Sequence, residues 1–351
     1  ALVSLMQSYR CLATKLFSSF FLHLKHQFSS FSSSSLSKRF IAMTSSSHTQ
    51  KTLIGTHSGQ FHCDDALACF LIKQLKPYRN SEIIRTRDAE ELEKCEIVVD
   101  VGFVYDHTLK RYDHHQKTFN LQLKDILPHK TFGNIKLSSA GLIYAHYGHE
   151  IIAEILMSNS SDSNIDAVFD YVYENFIKEI DAIDNGIDMF DDQEPRYRIN
   201  TNLSNRVCSL NPAWNEEQSH QISYRQFLKA IEITGQEFLD IVKYCGNSWL
   251  LAREFVLSAY EKRFEIDQKG RIMILNREVP FLEHLFEIKK LRQDNNIPSF
   301  VIYFNDWRGL PVEEIEHISQ IKGCIFVHNF GFIGGNKTLE GAVEMAIRSL
   351  E

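Results

Sequence analysis

From Thr52 onward, short apolar segments alternate with amphipathic helical segments, and this order constrains the fold more than any other feature of the chain. Predicted strands cover Thr52–Thr56, Glu82–Arg87 and Glu96–Val99, and predicted helices cover Asp64–Leu75 and Asp88–Lys94. Strands joined by helices lie parallel in one sheet, and the helices cover its faces. The sequence therefore predicts an α/β fold built on a mostly parallel sheet flanked by helices.

Helical periodicity dominates the middle of the chain, and a second strand–helix alternation follows it. The helical segments are Ser138–Leu156, Ile165–Ile183 and the long, mostly helical stretch Ser223–Phe264. Further along, the sequence predicts strands at Arg271–Leu275, Ser299–Phe304 and Gly323–His328, a helix over Phe281–Ile288 and a closing helix from Leu339. We therefore expect a main domain with a helical extension over residues 51–266 and a smaller C-terminal α/β domain over residues 267–351.

Acidic and histidine side chains occur where the predicted strands end. His57, His62 and Asp64 follow the first strand, Asp100 closes the third, and Asp113, His114 and His115 follow the short segment Lys110–Tyr112. In an open α/β sheet, ligands bind outside the carboxyl ends of the strands. Taken singly, Asp64 also fits a helix cap, and each histidine fits a hydrogen-bonded structural residue. Three such clusters at three strand ends together predict one polar crevice.

Imidazoles and carboxylates in one crevice are suited to share two divalent cations. A bridging carboxylate holds such ions roughly 3.5 to 4 Å apart, where they activate water and clamp the attacking and leaving oxygens of a phosphoryl displacement. Mixed histidine and aspartate ligands without thiolates suit Mn²⁺, Mg²⁺ or Zn²⁺, and ligand softness favours manganese. The ligand set therefore predicts phosphoester hydrolysis.

Two further segments are candidates for this site. Asp181 and Asp184 lie three residues apart on one face of a helix that Asn185-Gly186 ends, so either aspartate is a candidate ligand. The alternative is that both are solvated acids at a helix end. The glycine-rich segment Gly331–Thr338, between a strand and a helix, is typical of a phosphate-binding loop, although a plain connecting turn has the same composition.

The first fifty residues differ in composition from the rest of the chain. They contain fourteen serines, scattered basic residues and no acidic residue. This composition is typical of a disordered mitochondrial or plastid transit peptide, and a Ser-rich tail without targeting function is the alternative. Met43 is a candidate second start that would yield a cytosolic or nuclear form.

The rest of the chain is acidic. After the first 63 residues, the chain has 32 basic and 45 acidic residues, a net charge of −13. No apolar stretch of the sequence is long enough to span a membrane.

Several segments of the sequence resemble the MYG1 family, also described as UPF0160, which belongs to the DHH phosphoesterases. The metal-site motifs of this resemblance are Ile54–Asp65, Val98–Gly102, Tyr112–Gln116 and Ile180–Gly186. It continues through Lys136–Gly141, Arg206–Val207, Leu210–Asn215 and Gly323–His328, and it covers nearly everything from Thr52 to Ala346. Four motifs in the same order make the resemblance specific.

The resemblance implies a two-domain DHH fold, two manganese ions and a 3′-to-5′ exonuclease that acts on RNA in mitochondria and in the nucleus or nucleolus. His57 and His62 would bind one ion, Asp64, His114 and Asp184 would bind the other, and Asp100 would bridge them. Asp113, His114 and His115 form the motif that names the superfamily, and His115 would face the scissile phosphate. The second domain, with His328, Gly334, Gly335 and Asn336, would hold the substrate.

Basic residues outside these motifs are candidates for contacts with RNA. Arg196, Arg198 and Arg206 are typical of phosphate contacts, and a solvated loop is the alternative for each of them. The acidic body argues against broad, nonspecific affinity for nucleic acid. Binding is therefore expected to depend on a local patch and on the metals.

The sequence departs from the family pattern at two places. The wider superfamily usually has an aspartate where this chain has His62, which makes zinc a stronger rival to manganese. Phe304 is followed almost directly by Trp307, where family members have a longer stretch. The second domain is therefore expected to be shortened, and we expect it to bind substrate less well.

Two other functions remain compatible with the sequence. A small-molecule phosphoesterase, cleaving pyrophosphate, a cyclic dinucleotide or a very short RNA, would use the same metal pair. A catalytically impaired isoform would act as a binding protein.

The sequence argues against three other kinds of site. The seven cysteines include no C-x-x-C pair, which argues against a zinc ribbon and a nucleobase deaminase. The order Asp-His-His argues against an HD-type phosphohydrolase.

Overall fold

The computed structural model describes residues 51–130, 133–159, 162–190, 196–293, 298–303, 321–327 and 334–348. The strands are β1 Leu53–Thr56, β2 Glu82–Arg85, β3 Ile97–Val99, β4 Tyr105–Asp106, β5 Arg111–Tyr112, β6 Ile272–Leu275, β7 Phe300–Tyr303, β8 Cys324–Val327 and β9 Gly334–Asn336. The helices are α1 Cys63–Gln74, α2 Ala89–Glu93, α3 Leu123–Ile126, α4 Ser139–Leu156, α5 Ser163–Val172, α6 Lys178–Asp184, α7 Leu203–Cys208, α8 His220–Tyr244, α9 Leu250–Glu261, α10 Arg263–Ile266, α11 Leu282–Arg292 and α12 Leu339–Arg348.

The main sheet has five strands in the order β2-β1-β3-β5-β4. The first four run parallel, and β4 pairs antiparallel with β5 at one edge. The apolar side chains of β3 are buried because helices cover both faces of a parallel sheet. The predicted α/β class, with a mostly parallel sheet flanked by helices and a smaller C-terminal α/β region, is confirmed.

The sequence analysis missed strand β4, and its length explains why. Two residues are too few to show a strand period. The chain turns back immediately, because the Asp106 carboxylate accepts hydrogen bonds from the backbone amides of Thr108 and Leu109 and Lys110 takes a left-handed φ of 54°. The tight hairpin that results brings β5 into the sheet.

Helix α1 lies at the centre of the main core. It packs against α4 and α8, and nine of its twelve residues are buried. Because α1 is covered on nearly every side, the polar residues Asp64 and Asp65 are buried with it. Burial of two adjacent carboxylates is costly unless they have partners, so these residues mark a functional region.

Two helical stretches predicted as continuous each contain a π-helical turn. The first, at Tyr173–Ile177, joins α5 to α6, and the second, at Cys245–Trp249, joins α8 to α9. Such turns insert one residue and shift the faces of the helix that follows. The first shift matters for the site because α6 carries Asp181 and Asp184.

The C-terminal region has its own small core. Strands β6 and β7 pair in parallel, β8 pairs antiparallel with β9, and the buried cluster includes Val256, Tyr260 and Met273. The glycine-rich segment was predicted to be a loop, which is wrong for Gly334–Asn336, because these residues pair with β8 as a strand. His328 and residues 331–333 lie outside the described residues, as do the predicted transit peptide and Met43.

Within the described part of the chain, no helix combines the length and the apolar character that crossing a membrane requires.

A cluster of histidines and tyrosines ties the antiparallel edge of the sheet to α4. The His107 and His146 rings stack with centroids 3.8 Å apart, and the Tyr105 hydroxyl lies 2.9 Å from His146 Nε2. Burial, with a smaller contribution from His107, lowers the pKa of His146 to about 4. The folded protein therefore favours the neutral His146 ring.

Stability should fall between pH 6.5 and pH 4 because of His146. Its folded-state pKa lies below the usual value, so its contribution is present above pH 6.5 and is lost as the pH falls to about 4. We expect a loss of about 1–2 kcal/mol after solvent screening, since the ring is only partly buried. Urea unfolding of a His146→Gln variant at pH 7, 5.5 and 4.5 should show a shallower decline than the unsubstituted chain. A His129→Gln variant, changed at an exposed site, should keep the original decline. Equal slopes for both variants would contradict the prediction.

Candidate metal centre

The predicted site residues follow three adjacent parallel strands. His57 comes directly after β1, Asp100 after β3, and Asp113 after β5. These strands are neighbours in the sheet and run in the same direction. Their carboxyl ends therefore meet at one edge, as expected for a ligand-binding crevice.

Asp100 lies between two histidines at the centre of this edge. Its two carboxylate oxygens are 3.4 Å from His57 Nε2 and 3.4 Å from His114 Nε2. His57 Nε2 is also 3.2 Å from an oxygen of Asp65, and His114 Nε2 is 3.1 Å from an oxygen of Asp184. All of these side chains are buried or nearly so.

Three overlapping groups of side chains have ligand atoms within 4.8 Å of one another. The groups are His57, His62 and Asp100; Asp100, His114 and His115; and Asp64, His114 and Asp184. Asp100 belongs to two of them, and so does His114. The structure therefore brings together all six residues predicted as metal ligands, with His115 beside them.

Several of these atoms are buried without a hydrogen bond. Among the described residues, none forms a hydrogen bond of acceptable geometry with His57 Nε2, His114 Nε2, Asp65 Oδ2 or Asp100 Oδ1. Their mutual distances are short, but the directions do not suit hydrogen bonds. Buried polar atoms without partners are rare and costly. A cation would satisfy them, and imidazole nitrogen with carboxylate oxygen is a donor set that divalent metals accept, so these residues fit a metal ion.

The electrostatics of the site favour positive charge. Burial alone would lower the pKa of His57 and His114, but contacts with Asp100, and with Asp65 and Asp184 respectively, outweigh burial and raise the pKa values to about 10 and about 11. Burial and the charges of Asp184 and Asp100 raise the pKa of Asp64. In the protein without metal, protons on the imidazoles thus balance the carboxylates. Binding of a cation would displace these protons.

The backbone at Asp100 is strained. Its φ is 58°, a left-handed value that few residues other than glycine adopt, and Gly102 and Phe103 are also left-handed. The Asp100 amide donates to the Tyr112 carbonyl of β5 at 3.1 Å, which holds the turn against the sheet. Strain at a residue between two buried histidines is typical of a functional position.

Asp113 was predicted to be catalytic, and the structure places it behind the metal groups. One of its oxygens accepts from the His115 amide at 3.0 Å and lies 2.8 Å from His115 Nδ1. The other accepts from the Phe103 amide at 2.6 Å. Asp113 therefore fixes the half-exposed His115 ring and the strained loop that follows Asp100.

Asp64 and Asp181 share a partner, Ser138, at the N-terminus of α4. Asp64 accepts from the Ser138 hydroxyl and from the amides of Ser139 and Ala140. It does not cap its own helix, which begins after His62. Asp181 accepts from the Ser138 amide at 2.9 Å, and the same Asp181 oxygen lies 2.7 Å from the Ser138 hydroxyl. The hydroxyl has one proton, so it donates to Asp64 or to Asp181 at any one time. Of the two candidate aspartates of α6, Asp184 thus joins the metal groups, and Asp181 supports Asp64 through Ser138.

The residues predicted to bind substrate lie in different environments. Arg196 and Arg198 are exposed in the segment before α7. Arg206 forms an ion pair with Glu237 of α8 at 2.6 Å. Gly334 and Gly335 belong to β9, and the Asn336 side chain donates to the Lys322 carbonyl and accepts from the Thr338 amide, both at 3.0 Å. The contacts described for Asn336 therefore order the end of β9 and the start of α12.

Sequence reasoning missed three residues that support the site. Asp65 contacts His57, Ser138 joins Asp64 to Asp181, and Asn185 has an oxygen 3.2 Å from His114 Nδ1. Asn185 also donates to the Lys136 carbonyl at 2.9 Å. Its position after Asp184 was interpreted only as a helix stop. Two features of the sequence could have indicated these residues: Asp65 is adjacent to Asp64, and Ser138 occupies the N-cap position of a predicted helix.

Comparison with known proteins identifies relatives over most of the chain. A family model described as an uncharacterised protein family, UPF0160, matches residues 53–306 and 304–350. The MYG1 exonuclease of Bos taurus is 43% identical over 323 residues, which cover 85% of this chain and 84% of the bovine protein. A MYG1 protein of Caenorhabditis elegans is 44% identical over 331 residues, covering 86% and 95%. The MYG1 exonuclease of Homo sapiens is 42% identical over 323 residues, covering 85% of each chain.

No solved structure matches the chain significantly. The two matches to the family model meet at residues 304–306, where the sequence analysis expected a shortened segment. The matched residues include every position of the candidate metal centre. The resemblance inferred from the motifs is confirmed, and the chain belongs to the UPF0160, or MYG1, family.

Proposed function

We propose that this protein is a metal-dependent phosphodiesterase of the DHH type, a 3′-to-5′ RNA exonuclease that uses two divalent cations, with manganese favoured. The observation that carries the proposal is the position of Asp100 between His57 and His114, where buried ligand atoms form no hydrogen bond with any residue that the structure describes. Relatives 42% and 43% identical to this chain are named exonucleases, which supports a nuclease.

Each residue of the centre has a role in this proposal. His57 and His62 would hold one cation, Asp64, His114 and Asp184 would hold the other, and Asp100 would contribute to both. Bound divalent cations supply hydroxide at neutral pH and stabilise the charge that develops during phosphoryl transfer. His115, which Asp113 orients, faces the scissile phosphate and donates a hydrogen bond to it. The crevice excludes bulk water from the buried carboxylates, which strengthens their electrostatic interactions.

The remaining assignments complete the proposal. Residues 267–351 form a second domain that helps to hold RNA, and His328, Gly334, Gly335 and Asn336 are its substrate-binding residues. Arg196, Arg198 and Arg206 contact the RNA backbone. The first fifty residues direct the chain to mitochondria, and a form starting at Met43 acts in the nucleus or cytosol.

Divalent metal should stabilise the folded protein. A cation that binds the native state alone, at a free concentration of 100 times its Kd, adds about 2.7 kcal/mol to the free energy of unfolding. We expect Tm to rise by about 5 °C with Mn²⁺, to rise less with Mg²⁺, and to return to its starting value with EDTA. Thermal melts followed by circular dichroism measure this, and a His114→Ala variant should show little response. A Tm that no cation changes would contradict the metal site.

The direct test of function is the degradation of a 5′-labelled RNA oligonucleotide by the full chain. A ladder that shortens from the 3′ end, requires Mn²⁺ and is absent for His114→Ala would support the exonuclease. Turnover of pyrophosphate or a cyclic dinucleotide without cleavage of long RNA would favour the small-molecule phosphoesterase. Binding of RNA without cleavage of any phosphoester, by metal-loaded protein, would favour a binding protein.

A further inference from the structure

A cleft of about 360 Å³ lies beside the metal centre. One wall is Ser58–Gln60, the loop whose two ends supply His57 and His62. The opposite wall is the start of helix α8, at Ser219, His220 and Ser223. Asn211 fixes the loop, because its side chain accepts from the Phe61 amide at 3.0 Å and donates to the Phe61 carbonyl at 2.9 Å. The cleft and the metal ligands thus share one fixed loop.

Arg85 brings a buried positive charge to this cleft. The residue is only 6% exposed, and its guanidinium donates to the Ser223 hydroxyl at 2.9 Å and to the Gly59 carbonyl at 2.8 Å. It also lies 4.5 Å from the centre of the Phe227 ring. Among the described residues, no carboxylate comes within 4 Å of this guanidinium, and its Nε has no hydrogen bond. Burial lowers the pKa of the guanidinium and outweighs the attraction of the buried Asp65 carboxylate, which acts from beyond 4 Å. An anion in the cleft would add a compensating charge closer to the buried cation.

The other groups around the cleft also suit an anion. None of its ten lining residues is acidic, although the chain beyond residue 63 carries a net charge of −13. The Ser219 side chain caps the Ile222 amide, and the described residues offer no acceptor to the amides of His220 and Gln221. Free amides at the start of a 25-residue helix favour negative charge. An anion is therefore the ligand that suits the cavity, the buried arginine and the start of the helix.

We propose that the cleft binds the phosphate group next to the scissile one, so that the enzyme prefers substrates with at least two phosphodiester bonds. This inference rests on the proposed function, because the metal centre defines the scissile phosphate. The shared loop Ser58–Gln60 places the second phosphate on the His57 side of the centre. Oligonucleotides fulfil this requirement, whereas a single small phosphodiester leaves the cleft empty.

The test introduces a negative charge into the cleft without weakening the fold. In a His220→Glu variant the new carboxylate lies in the first turn of α8, where an acid stabilises a helix. Gln60→Glu introduces the same charge from the opposite, exposed wall. The matched control is Lys229→Glu, at an exposed position of the same helix about 13 Å further along its axis. The control changes the net charge of the protein by two units, more than either cleft variant.

Two measurements separate this inference from the proposed function. The first is binding of a 5′-fluorescein hexaribonucleotide, followed by anisotropy in Mn²⁺ at a pH that halts turnover or with Ca²⁺ in its place. The second is kcat/KM for that oligonucleotide and for bis(p-nitrophenyl) phosphate, which has one phosphodiester. We expect His220→Glu and Gln60→Glu to weaken binding and kcat/KM for the oligonucleotide by about tenfold or more, the effect of one repulsive charge. Their kcat/KM for bis(p-nitrophenyl) phosphate should stay within about twofold of the unsubstituted value, and Lys229→Glu should change neither.

The outcomes distinguish the two ideas. The phosphate site would be overturned if the cleft variants weakened oligonucleotide binding no more than Lys229→Glu does. It would also be overturned if kcat/KM fell equally for both substrates, or if the unsubstituted chain did not bind the oligonucleotide. Binding that depends on the cleft, in a protein that hydrolyses neither substrate, would support the phosphate site and contradict the proposed function.

Discussion

An Asp100→Asn variant should lose metal-dependent RNA hydrolysis almost completely while remaining folded. Asp100 is the only carboxylate within 3.4 Å of both His57 Nε2 and His114 Nε2 in the described part of the chain. The substitution keeps the size of the side chain and removes the charge that would lie between two cations. A loss of several kcal/mol of transition-state stabilisation corresponds to a fall in kcat on the order of 10³-fold.

Asparagine is the right replacement because of the backbone at this position. The φ of Asp100 is 58°, and asparagine tolerates left-handed values better than alanine does. An Asp100→Ala variant would combine loss of the ligand with backbone strain, whereas Asp100→Asn tests the ligand alone. Kinetics with labelled RNA in Mn²⁺, together with a thermal melt in EDTA, measure the two effects separately.

The control is Asp106→Asn, an aspartate of strand β4, which follows β3 along the chain and lies at the edge of the same sheet. Its carboxylate accepts hydrogen bonds within the β4–β5 hairpin, and asparagine can accept the same bonds. This variant should retain its activity. Residual activity of Asp100→Asn within about tenfold of the unsubstituted chain, with the fold intact, would contradict a bridging role for Asp100.

The sequence predicts the centre because parallel strands have a simple geometry. His57, Asp100 and His114 follow strands that are neighbours in the sheet, so a reading of strand ends alone places them together. The periodicity of three residues also placed Asp184 and Asp181 on one face of a helix. Between these two aspartates, periodicity has no means of choosing, because the choice depends on Ser138, a residue more than forty positions away along the chain.

Other features depend on contacts that no local pattern records. The role of Asp113 depends on the left-handed loop after Asp100, which brings the Phe103 amide within hydrogen-bond distance of the Asp113 carboxylate. The strand Gly334–Asn336 has the composition of a loop, and only its pairing with β8 makes it a strand. The cleft beside the centre combines Arg85 of β2 with the start of α8, two segments that the sequence separates widely. Long-range pairing decided each of these features.

A Gly141→Ala variant should be destabilised by about 3 kcal/mol, although alanine normally favours a helix. In an unobstructed helix this change stabilises the protein by roughly 0.5–1 kcal/mol. Here a Cβ atom on Gly141 would lie 2.2 Å from one carboxylate oxygen of Asp181 and 2.5 Å from the other. Asp181 is fully buried, so it has to move and give up its hydrogen bonds to Ser138. Overpacking costs about 1–3 kcal/mol, and loss of buried hydrogen bonds adds to that.

The consequence should extend to the metal centre, because the Ser138 hydroxyl also bonds Asp64. We therefore expect Gly141→Ala to raise the concentration of Mn²⁺ that gives half-maximal activity, besides lowering stability in urea unfolding. Glu150→Ala, on the exposed face of the same helix, should change the free energy of unfolding by less than about 0.5 kcal/mol. A double-mutant cycle identifies the cause, since Gly141→Ala should cost almost nothing in a chain that already carries Asp181→Ala, where the carboxylate is gone. If the two costs simply add, the contact between Gly141 and Asp181 is not what holds glycine at this position, and the link from helix α4 through Ser138 to the metal ligand Asp64 loses its support.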